Sequence, residues 1–194
     1  MTCIAGLIED GSIWMAGDSA SSAGNDVKIR MHPKVFRRRQ NGIEWLFGCA
    51  GTSRLSQIVQ YKTELPTNKA PKGKTLCGFL VEEFVPLLQK ALRENGFLAQ
   101  KENVVKLDGS IMIGLNGHIF IIDEAFFVLE RREKFQTMGS GKHEAFGVLY
   151  ATPRLSPLER LRLALKVAAL TTTDVRAPFH IIKTSTKEKQ RKNK

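Results

Sequence analysis

Short apolar runs that flank tight turns recur along the chain. The turns contain Asp10-Gly11, Asn41-Gly42 and Asn116-Gly117, and such a pair between apolar runs is the strongest local signal of a β-hairpin. The runs that they join are residues 3–8 and 12–16, 35–39 and 43–48, and 110–115 and 118–123. The pattern therefore predicts three hairpins. Further short strands are predicted in residues 126–129, 135–138 and 179–182.

Apolar residues at helical spacing predict two pairs of helices. The pairs are residues 52–62 with 75–95, and residues 142–151 with 157–170. Gly96 is the stop signal of the second helix, and Pro86 inside that helix should bend it because proline has no N–H to donate. Ser156 and Glu159 form a capping box around Pro157, which marks the start of the last helix.

The order of these elements indicates the fold class. Hairpins, two helices, further strands, two helices and a closing strand suit two antiparallel sheets packed face to face, with helices outside each sheet. We therefore expect an α+β protein with a four-layer αββα sandwich. The 194 residues suffice for one such domain, which we place at residues 1–182, followed by a basic tail at residues 183–194 that we expect to be disordered.

A threonine at position 2 is the first candidate for chemistry. If Met1 is trimmed, Thr2 carries a free α-amine beside its hydroxyl, and such an amine has an ordinary pKa of about 7.7–8.0. One residue then supplies both a nucleophile and its base. Trimming Met1 exposes Thr2 and not Cys3, so we interpret Cys3 as a packed strand residue.

Asp18 and Lys34 are the residues that would complete this centre. A lysine ammonium lowers the pKa of a nearby hydroxyl, and a carboxylate holds the lysine in position. Each residue also has an ordinary interpretation: Thr2 as a surface residue at a strand start, Asp18 as a turn aspartate, and Lys34 as an exposed lysine. Their joint spacing favours the catalytic interpretation.

Five short motifs follow one another along the chain. They are Thr2-Cys3-Ile4, Ala16-Gly17-Asp18, Lys34-Val35, Gly48-Cys49-Ala50-Gly51 and Gly139-Ser140-Gly141. In this order the chain resembles the threonine peptidases of the proteasome β-subunit family, most closely the bacterial HslV subunits. The first three motifs have the HslV spacing without a gap. The resemblance implies the N-terminal nucleophile hydrolase fold, which is also an αββα sandwich.

The resemblance assigns a catalytic role to each matching residue. Thr2 attacks the peptide carbonyl, Lys34 lowers the pKa of the Thr2 hydroxyl, and Asp18 orients Lys34. Ser140 binds near the Thr2 amine and helps to move protons. Asp174 is assigned to the same proton network because it is the only carboxylate between the last long helix and Phe179-His180, although ungapped counting from Phe179-His180 leads to Thr171.

Further positions are implied to bind the substrate. Gly48 is expected to donate its N–H to the oxyanion of the tetrahedral intermediate. Ser22, Phe36 and Leu46 are expected to contact the substrate, with Phe36 and Leu46 in an apolar pocket. Gly48 also has a plain structural interpretation as a kink at the end of a strand.

The implied activity is that of a threonine-type endopeptidase acting on unfolded proteins. The resemblance also implies a homo-oligomeric ring and a separate ATPase unfoldase, since this chain has no phosphate-binding loop. We expect no cofactor and no metal, because the four histidines are scattered and form neither an H-E-x-x-H motif nor part of a nucleophile elbow. Glu9 and Asp10 interrupt the first apolar run, so we expect no signal peptide. The three cysteines are odd in number and lack metal-ligand spacing, so we expect them to be reduced in a cytoplasmic protein.

The charge of the chain keeps another interpretation open. The net charge is +11, of which +5 falls on residues 183–194, and Arg37-Arg38-Arg39 forms a second basic cluster. A basic nucleic-acid-associated protein would use both the tail and the cluster. A solvated tail is nevertheless the favoured interpretation, and no aromatic residues accompany the cluster.

A proteasome-like shell subunit that assembles without cleaving is the other alternative. No apolar run approaches the ~20 residues of a membrane span.

Overall fold

The computed structural model of the protein describes residues 2–23, 26–71, 75–101 and 104–185. Its strands are β1 (Cys3–Glu9), β2 (Ser12–Gly17), β3 (Ala20–Ala23), β4 (Asp26–Ile29), β5 (Val35–Gln40), β6 (Ile43–Gly51), β7 (Ala99–Lys101), β8 (Val104–Lys106), β9 (Gly109–Leu115), β10 (His118–Ile122), β11 (Val128–Glu130), β12 (Phe135–Gly139) and β13 (His180–Lys183). Its helices are α1 (Ser53–Tyr61), α2 (Leu76–Phe79), α3 (Val85–Glu94), α4 (Lys142–Ala151) and α5 (Pro157–Thr171).

Two antiparallel sheets form the centre of the molecule. The four-stranded sheet has the order β12-β1-β2-β13, and the five-stranded sheet has the order β11-β10-β9-β6-β5. Helices α4 and α5 pack on the outside of the four-stranded sheet, and α1, α2 and α3 cover the five-stranded sheet. The predicted four-layer αββα sandwich of an α+β protein is therefore confirmed.

The three predicted hairpins are β1-β2, β5-β6 and β9-β10. Both residues of each two-residue turn have positive φ: 50° and 71° at Asp10-Gly11, 49° and 74° at Asn41-Gly42, and 47° and 86° at Asn116-Gly117. This is the turn whose twist matches that of the flanking strands, and Asn, Asp and Gly adopt it most easily. These local signals were sufficient to fix the register of each pair.

The helices agree with the sequence pattern except near Pro86. There a π-helical turn at Leu80–Phe84 separates α2 from α3, and Val85 N–H donates to the carbonyl of Leu80. The wider turn precedes a proline that has no N–H to offer, which accounts for an interruption at this point. Helix α5 begins with the predicted capping box, in which the Ser156 hydroxyl accepts from Glu159 N–H and the Glu159 carboxylate accepts from Ser156 N–H.

Two ribbons were not predicted. Strands β3 and β4 pair with each other, as do β7 and β8. Residues 20–25 contain no large apolar residue, and the alternation of polar and apolar residues at 26–29 covers only four positions, so the sequence signal for a strand is weak. Since β4 is exposed throughout, burial on one face does not produce this ribbon.

The basic segments adopt defined positions as far as the structure describes them. Arg37 and Arg39 both form ion pairs with Glu44, and Arg38 donates to the carbonyls of Val59 and Thr63. The cluster therefore holds α1 and β6 against β5. Strand β13 includes Lys183, so the predicted tail overlaps the last strand by one residue, and residues 186–194 lie outside the described residues.

The interface between the sheets is closely packed around glycines. An ideal Cβ on Gly48 would lie 2.7 Å from Ile4 Cγ2 and 3.1 Å from Met15 Sδ. Ile4 and Met15 belong to a cluster of buried apolar residues that both sheets contribute. A methyl group at position 48 therefore has no space unless the sheets separate.

We expect Gly48→Ala to lower the free energy of unfolding by about 1–3 kcal/mol, because the added methyl overpacks the interface. Gly147 lies in α4, and nothing lies within 4 Å of its ideal Cβ. The control Gly147→Ala should therefore be neutral or stabilising, by up to about 1 kcal/mol. Urea unfolding of both variants is the measurement, and an equal response of the two would contradict the close contact at Gly48.

Candidate active site

The ends of four strands meet at one edge of the sandwich. In the hairpin β1-β2, Ile4 pairs with Gly17, so Asp18 follows directly beside Cys3. In the pair β1-β12, Cys3 lies opposite Gly139, so the next residue, Ser140, comes opposite Thr2. Lys34 directly precedes β5 in the other sheet. The register thus brings Thr2, Asp18 and Ser140 together, and the packing of the two sheets brings Lys34 to them.

Lys34 bridges Thr2 and Asp18. Its Nζ donates to Thr2 Oγ1 at 3.0 Å and contacts the Asp18 carboxylate oxygens at 2.9 and 3.0 Å. All three residues are buried, with exposed fractions of 3%, 0% and 2% for Thr2, Asp18 and Lys34. A buried ammonium requires a charged partner, and this geometry supplies one.

Asp18 is itself held by backbone donors. Its Oδ1 accepts from Cys3 N–H at 2.9 Å, and its Oδ2 accepts from Ala20 N–H at 2.9 Å. Arg176 N–H approaches Oδ2 at 3.4 Å. These contacts fix the carboxylate, which in turn fixes the ammonium of Lys34.

Two opposing effects act on the charge of Lys34. Burial lowers its pKa below the ordinary lysine value, and the Asp18 carboxylate raises it again by charge and hydrogen bonding. When protonated, the ammonium stabilises negative charge on Thr2 Oγ1. Burial therefore makes the charge of Lys34 depend on Asp18.

Ser140 holds the backbone of Thr2. The Thr2 nitrogen donates to Ser140 Oγ at 3.1 Å, and Ser140 Oγ donates to the Thr2 carbonyl at 3.1 Å. Gly139, just before it, has φ +91°, and a Cβ at that position would collide with the Thr2 carbonyl oxygen. Glycine is needed there because Thr2 and the end of β12 approach so closely.

Asp174 is connected to this centre through Ser22. Hydrogen bonds from the hydroxyls of Ser22 and Thr173 hold the pKa of the Asp174 carboxyl below its ordinary value. The side chain is 6% exposed, and Thr173 Oγ1 donates to Oδ2 at 3.0 Å. Ser22 also lines the cavity beside Thr2. Asp174 therefore lies one hydrogen bond away from a cavity residue.

A cavity of about 610 Å³ opens beside the Thr2 hydroxyl. Its lining contains Lys34 and Ser140 together with several polar residues that the sequence analysis did not single out: Arg30, Thr52, Ser53, Ser56 and Asp108. Cys49 and Gly51 also line it. A cavity next to a candidate nucleophile is the place where a substrate would bind.

Three predicted site residues lie elsewhere. Gly48 pairs with Val35 on one side and Met112 on the other, so it lies within the ladder and does not line this cavity. Leu46 is fully buried between the two sheets, and Phe36 is buried under the helices that cover β5 and β6. Because successive strand residues face opposite ways, the odd residues Cys49 and Gly51 face the cavity.

The remaining candidate groups show no sign of reactivity. Burial and the charge of Asp18 raise the pKa of the Cys3 thiol to about 12, and its sulfur donates to the carbonyl of Gly141 at 3.4 Å. Cys3 therefore packs as a neutral thiol. Among the described residues, no group of three His, Cys, Asp or Glu side chains is placed to hold a metal ion. None of the described helices is long and apolar enough to span a bilayer.

Comparison with known proteins gives likeness in structure only. No family model matches the sequence, and no curated protein matches it significantly. BPH of Thiobacillus denitrificans, solved in complex with epoxomicin, is 21% identical over 95% of this chain and 98% of that chain, with a TM-score of 0.76. Eukaryotic HslV from Trypanosoma brucei is 17% identical over 94% and 98%, with a TM-score of 0.64.

Anbu, described as an ancestral beta-subunit, from Yersinia bercovieri is 14% identical over 94% of this chain and 81% of that chain, with a TM-score of 0.66. The identities are low, but each of these matches covers 94% or more of this chain. The chain therefore has the fold of these HslV and Anbu structures, an αββα sandwich.

We expect Asp18→Asn to lower the free energy of unfolding by about 3–5 kcal/mol, because it leaves the buried Lys34 ammonium without a counter-charge. The matched control is Asp26→Asn, since Asp26 forms an ion pair with Lys28 at 3.0 Å in which both side chains are mostly exposed. That variant should change stability by less than about 1 kcal/mol. Urea unfolding near neutral pH measures both. Similar effects at the two positions would mean that Asp18 is not needed to hold a charged Lys34.

Proposed function

We propose that the chain is a proteasome-like threonine peptidase. In it, Thr2 becomes the first residue when Met1 is removed, and it cleaves peptide bonds of unfolded proteins. The observation that carries the proposal is the buried chain of contacts from Asp18 through Lys34 Nζ to Thr2 Oγ1. The proteasome-like fold and the open cavity beside Thr2 support it. It requires removal of Met1, because the α-amine of Thr2 acts as the base.

The first step of the proposed reaction is attack on the peptide carbonyl. Thr2 Oγ1 forms a bond to the carbonyl carbon while its proton passes to the Thr2 α-amine. Lys34 stabilises the developing alkoxide, and Ser140 Oγ holds the amine in place at 3.1 Å. The carbonyl oxygen becomes the oxyanion of a tetrahedral intermediate.

Gly51 is the residue that we assign to bind this oxyanion. The N–H of Cys49 donates to the Lys34 carbonyl at 3.2 Å, so N–H groups at odd positions of β6 face the side of β5. Strand β5 starts only at Val35, so the N–H of Gly51 extends beyond it towards the cavity that Gly51 lines. A fixed backbone N–H at this point would stabilise the oxyanion.

The reaction ends with hydrolysis of an ester. Collapse of the intermediate breaks the C–N bond, and the protonated α-amine gives its proton to the leaving amine. The acyl group then remains on Thr2 as an ester. A water molecule gives a proton to the α-amine and attacks the ester carbonyl, which releases a carboxylic acid and restores Thr2. Asp174 and Ser22 are proposed to support these proton transfers through their hydrogen bond.

The resemblance to HslV extends the proposal beyond a single chain. We propose that identical subunits form a ring that encloses the Thr2 residues, and that a separate cytoplasmic ATPase supplies unfolded protein. Native mass spectrometry tests the ring, because a purely monomeric species at micromolar concentration would contradict it.

We expect the purified protein to degrade a fluorescently labelled unfolded protein. Thr2→Ala should reduce the rate at least about a thousandfold, because it removes the nucleophile, whereas Thr2→Ser should retain measurable activity. Lys34→Met should reduce activity as strongly, and Lys28→Met serves as its control because Lys28 lies in an exposed ion pair.

Thermal unfolding of each variant shows whether the fold is kept. Loss of activity in Thr2→Ala and Lys34→Met with retained folding and an active Thr2→Ser variant would support the mechanism. Degradation that persists in Thr2→Ala would overturn it. A folded wild-type protein with Thr2 as its first residue and no activity would favour the non-catalytic shell subunit.

A further inference from the structure

The residues that line the cavity beside Thr2 determine which substrate side chains can bind there. When Thr2 attacks a peptide carbonyl, the side chain of the residue that carries this carbonyl must enter the space beside Thr2 Oγ1. The cavity of about 610 Å³ is this space, so its lining chooses which side chains fit. The inference that follows rests on the proposed peptidase function.

Hydroxyl groups make up much of this lining. Ser21, Ser22, Thr52, Ser53 and Ser56 line the cavity, and Ser21 Oγ lies 3.5 Å from Ser53 Oγ. A large apolar side chain placed here would remove hydroxyls from water without offering them hydrogen bonds, which costs free energy. The lining therefore favours a polar side chain.

Arg30 adds a positive charge to the cavity, which Lys34, paired with Asp18, also lines. It lines the cavity, it is half-buried, and its backbone N–H donates to the Ser19 carbonyl at 2.8 Å. Within residues 2–23, 26–71, 75–101 and 104–185, no hydrogen bond or ion pair occupies its guanidinium group. A guanidinium group has five N–H donors in a planar arrangement that matches a carboxylate.

The charge of Arg30 reaches the inner part of the cavity. Burial raises the pKa of the Cys49 thiol to about 12, and Ser56 and then Arg30 act against this shift. Arg30 also adds to the lowering of the Lys34 pKa, behind the larger effect of burial. Its field therefore covers the region between the cavity wall and Thr2.

Among the described residues that line this cavity, Asp108 is the only carboxylate, and it would attract a basic side chain instead. It is exposed, whereas Arg30 is half-buried. Salt and water screen an exposed charge more strongly than a half-buried one. The positive charge should therefore dominate, and the net charge of +11 favours the approach of an acidic segment.

We propose that the cavity beside Thr2 selects an acidic side chain, Asp or Glu, on the residue whose carbonyl Thr2 attacks, and that Arg30 is the specificity-determining residue. The carboxylate pairs with the guanidinium group of Arg30, and the hydroxyls of Ser21 and Ser53 donate to its remaining lone pairs. Cleavage then occurs after acidic residues.

The test uses four peptides that are identical except for the residue before a fluorogenic amide: Glu, Gln, Leu or Lys. We expect kcat/KM for Glu to exceed that for the isosteric Gln by about tenfold or more, since the pair replaces a neutral contact by a charged one. Arg30→Gln should remove this ratio while the Gln peptide is still cleaved, and Arg30→Glu should shift the preference to Lys. The Glu preference should also fall as salt rises.

Arg54→Gln is the matched control. Arg54 is exposed on α1 and does not line the cavity, so its loss removes the same charge without touching the proposed pocket. This variant should keep the ratio of Glu to Gln. Asp108→Asn should keep or increase it, because the competing negative charge is removed.

The outcomes separate the two proposals. If none of the four peptides is cleaved by a Thr2-dependent reaction, the proposed peptidase function is wrong and the inference is wrong with it. If cleavage depends on Thr2 but Glu has no advantage over Gln, only the inference fails. The wild-type ratio and its salt dependence decide this even if an Arg30 variant does not fold. Equal loss of the Glu preference in Arg54→Gln would also overturn the role of Arg30.

Discussion

The buried ion pair between Asp18 and Lys34 is the interaction on which the rest of the structure depends. An ammonium group that is 2% exposed is stable only next to a fixed counter-charge, and Asp18 is fixed by the N–H groups of Cys3 and Ala20. Asp18 lies at the end of β2 and Lys34 at the start of β5, so the pair joins the two sheets at one edge. The same ion pair therefore contributes both to the packing of the two sheets and to the assembly of the candidate site.

Local signals predicted most of the fold. The Asp-Gly and Asn-Gly turns determined three hairpins, because two positive φ angles in sequence demand these residues, and the Ser156 capping box determined the start of α5. The β3-β4 ribbon was missed because residues 20–25 have no large apolar side chain, and because Val27 and Ile29 of β4 are exposed. The π-helical turn before Pro86 was expected only as a bend, since the hydrogen-bond pattern around a proline depends on packing.

The sequence predicted those site residues whose positions follow from the spacing of the motifs along paired strands. Thr2, Asp18 and Ser140 meet because of the register of β1 with β2 and β12, and Lys34 reaches them from the other sheet. Gly48, Phe36 and Leu46 were misplaced because the side of a strand that a residue faces depends on register, and a shift of one residue reverses it. Gly51 lines the cavity at the end of β6, and Arg30 lines it in the segment after β4. The spacing of the motifs did not indicate Arg30.

The central claim is that Thr2 acts as an N-terminal nucleophile with its own amine as base. The most direct measurement is the intact mass of the protein before and after exposure to a peptide electrophile that reacts with a hydroxyl and an amine on the same residue. The account predicts loss of Met1 and one adduct per chain, which is absent in Thr2→Ala. A chain that keeps Met1, or one that loses Met1 and still forms no adduct, would contradict it.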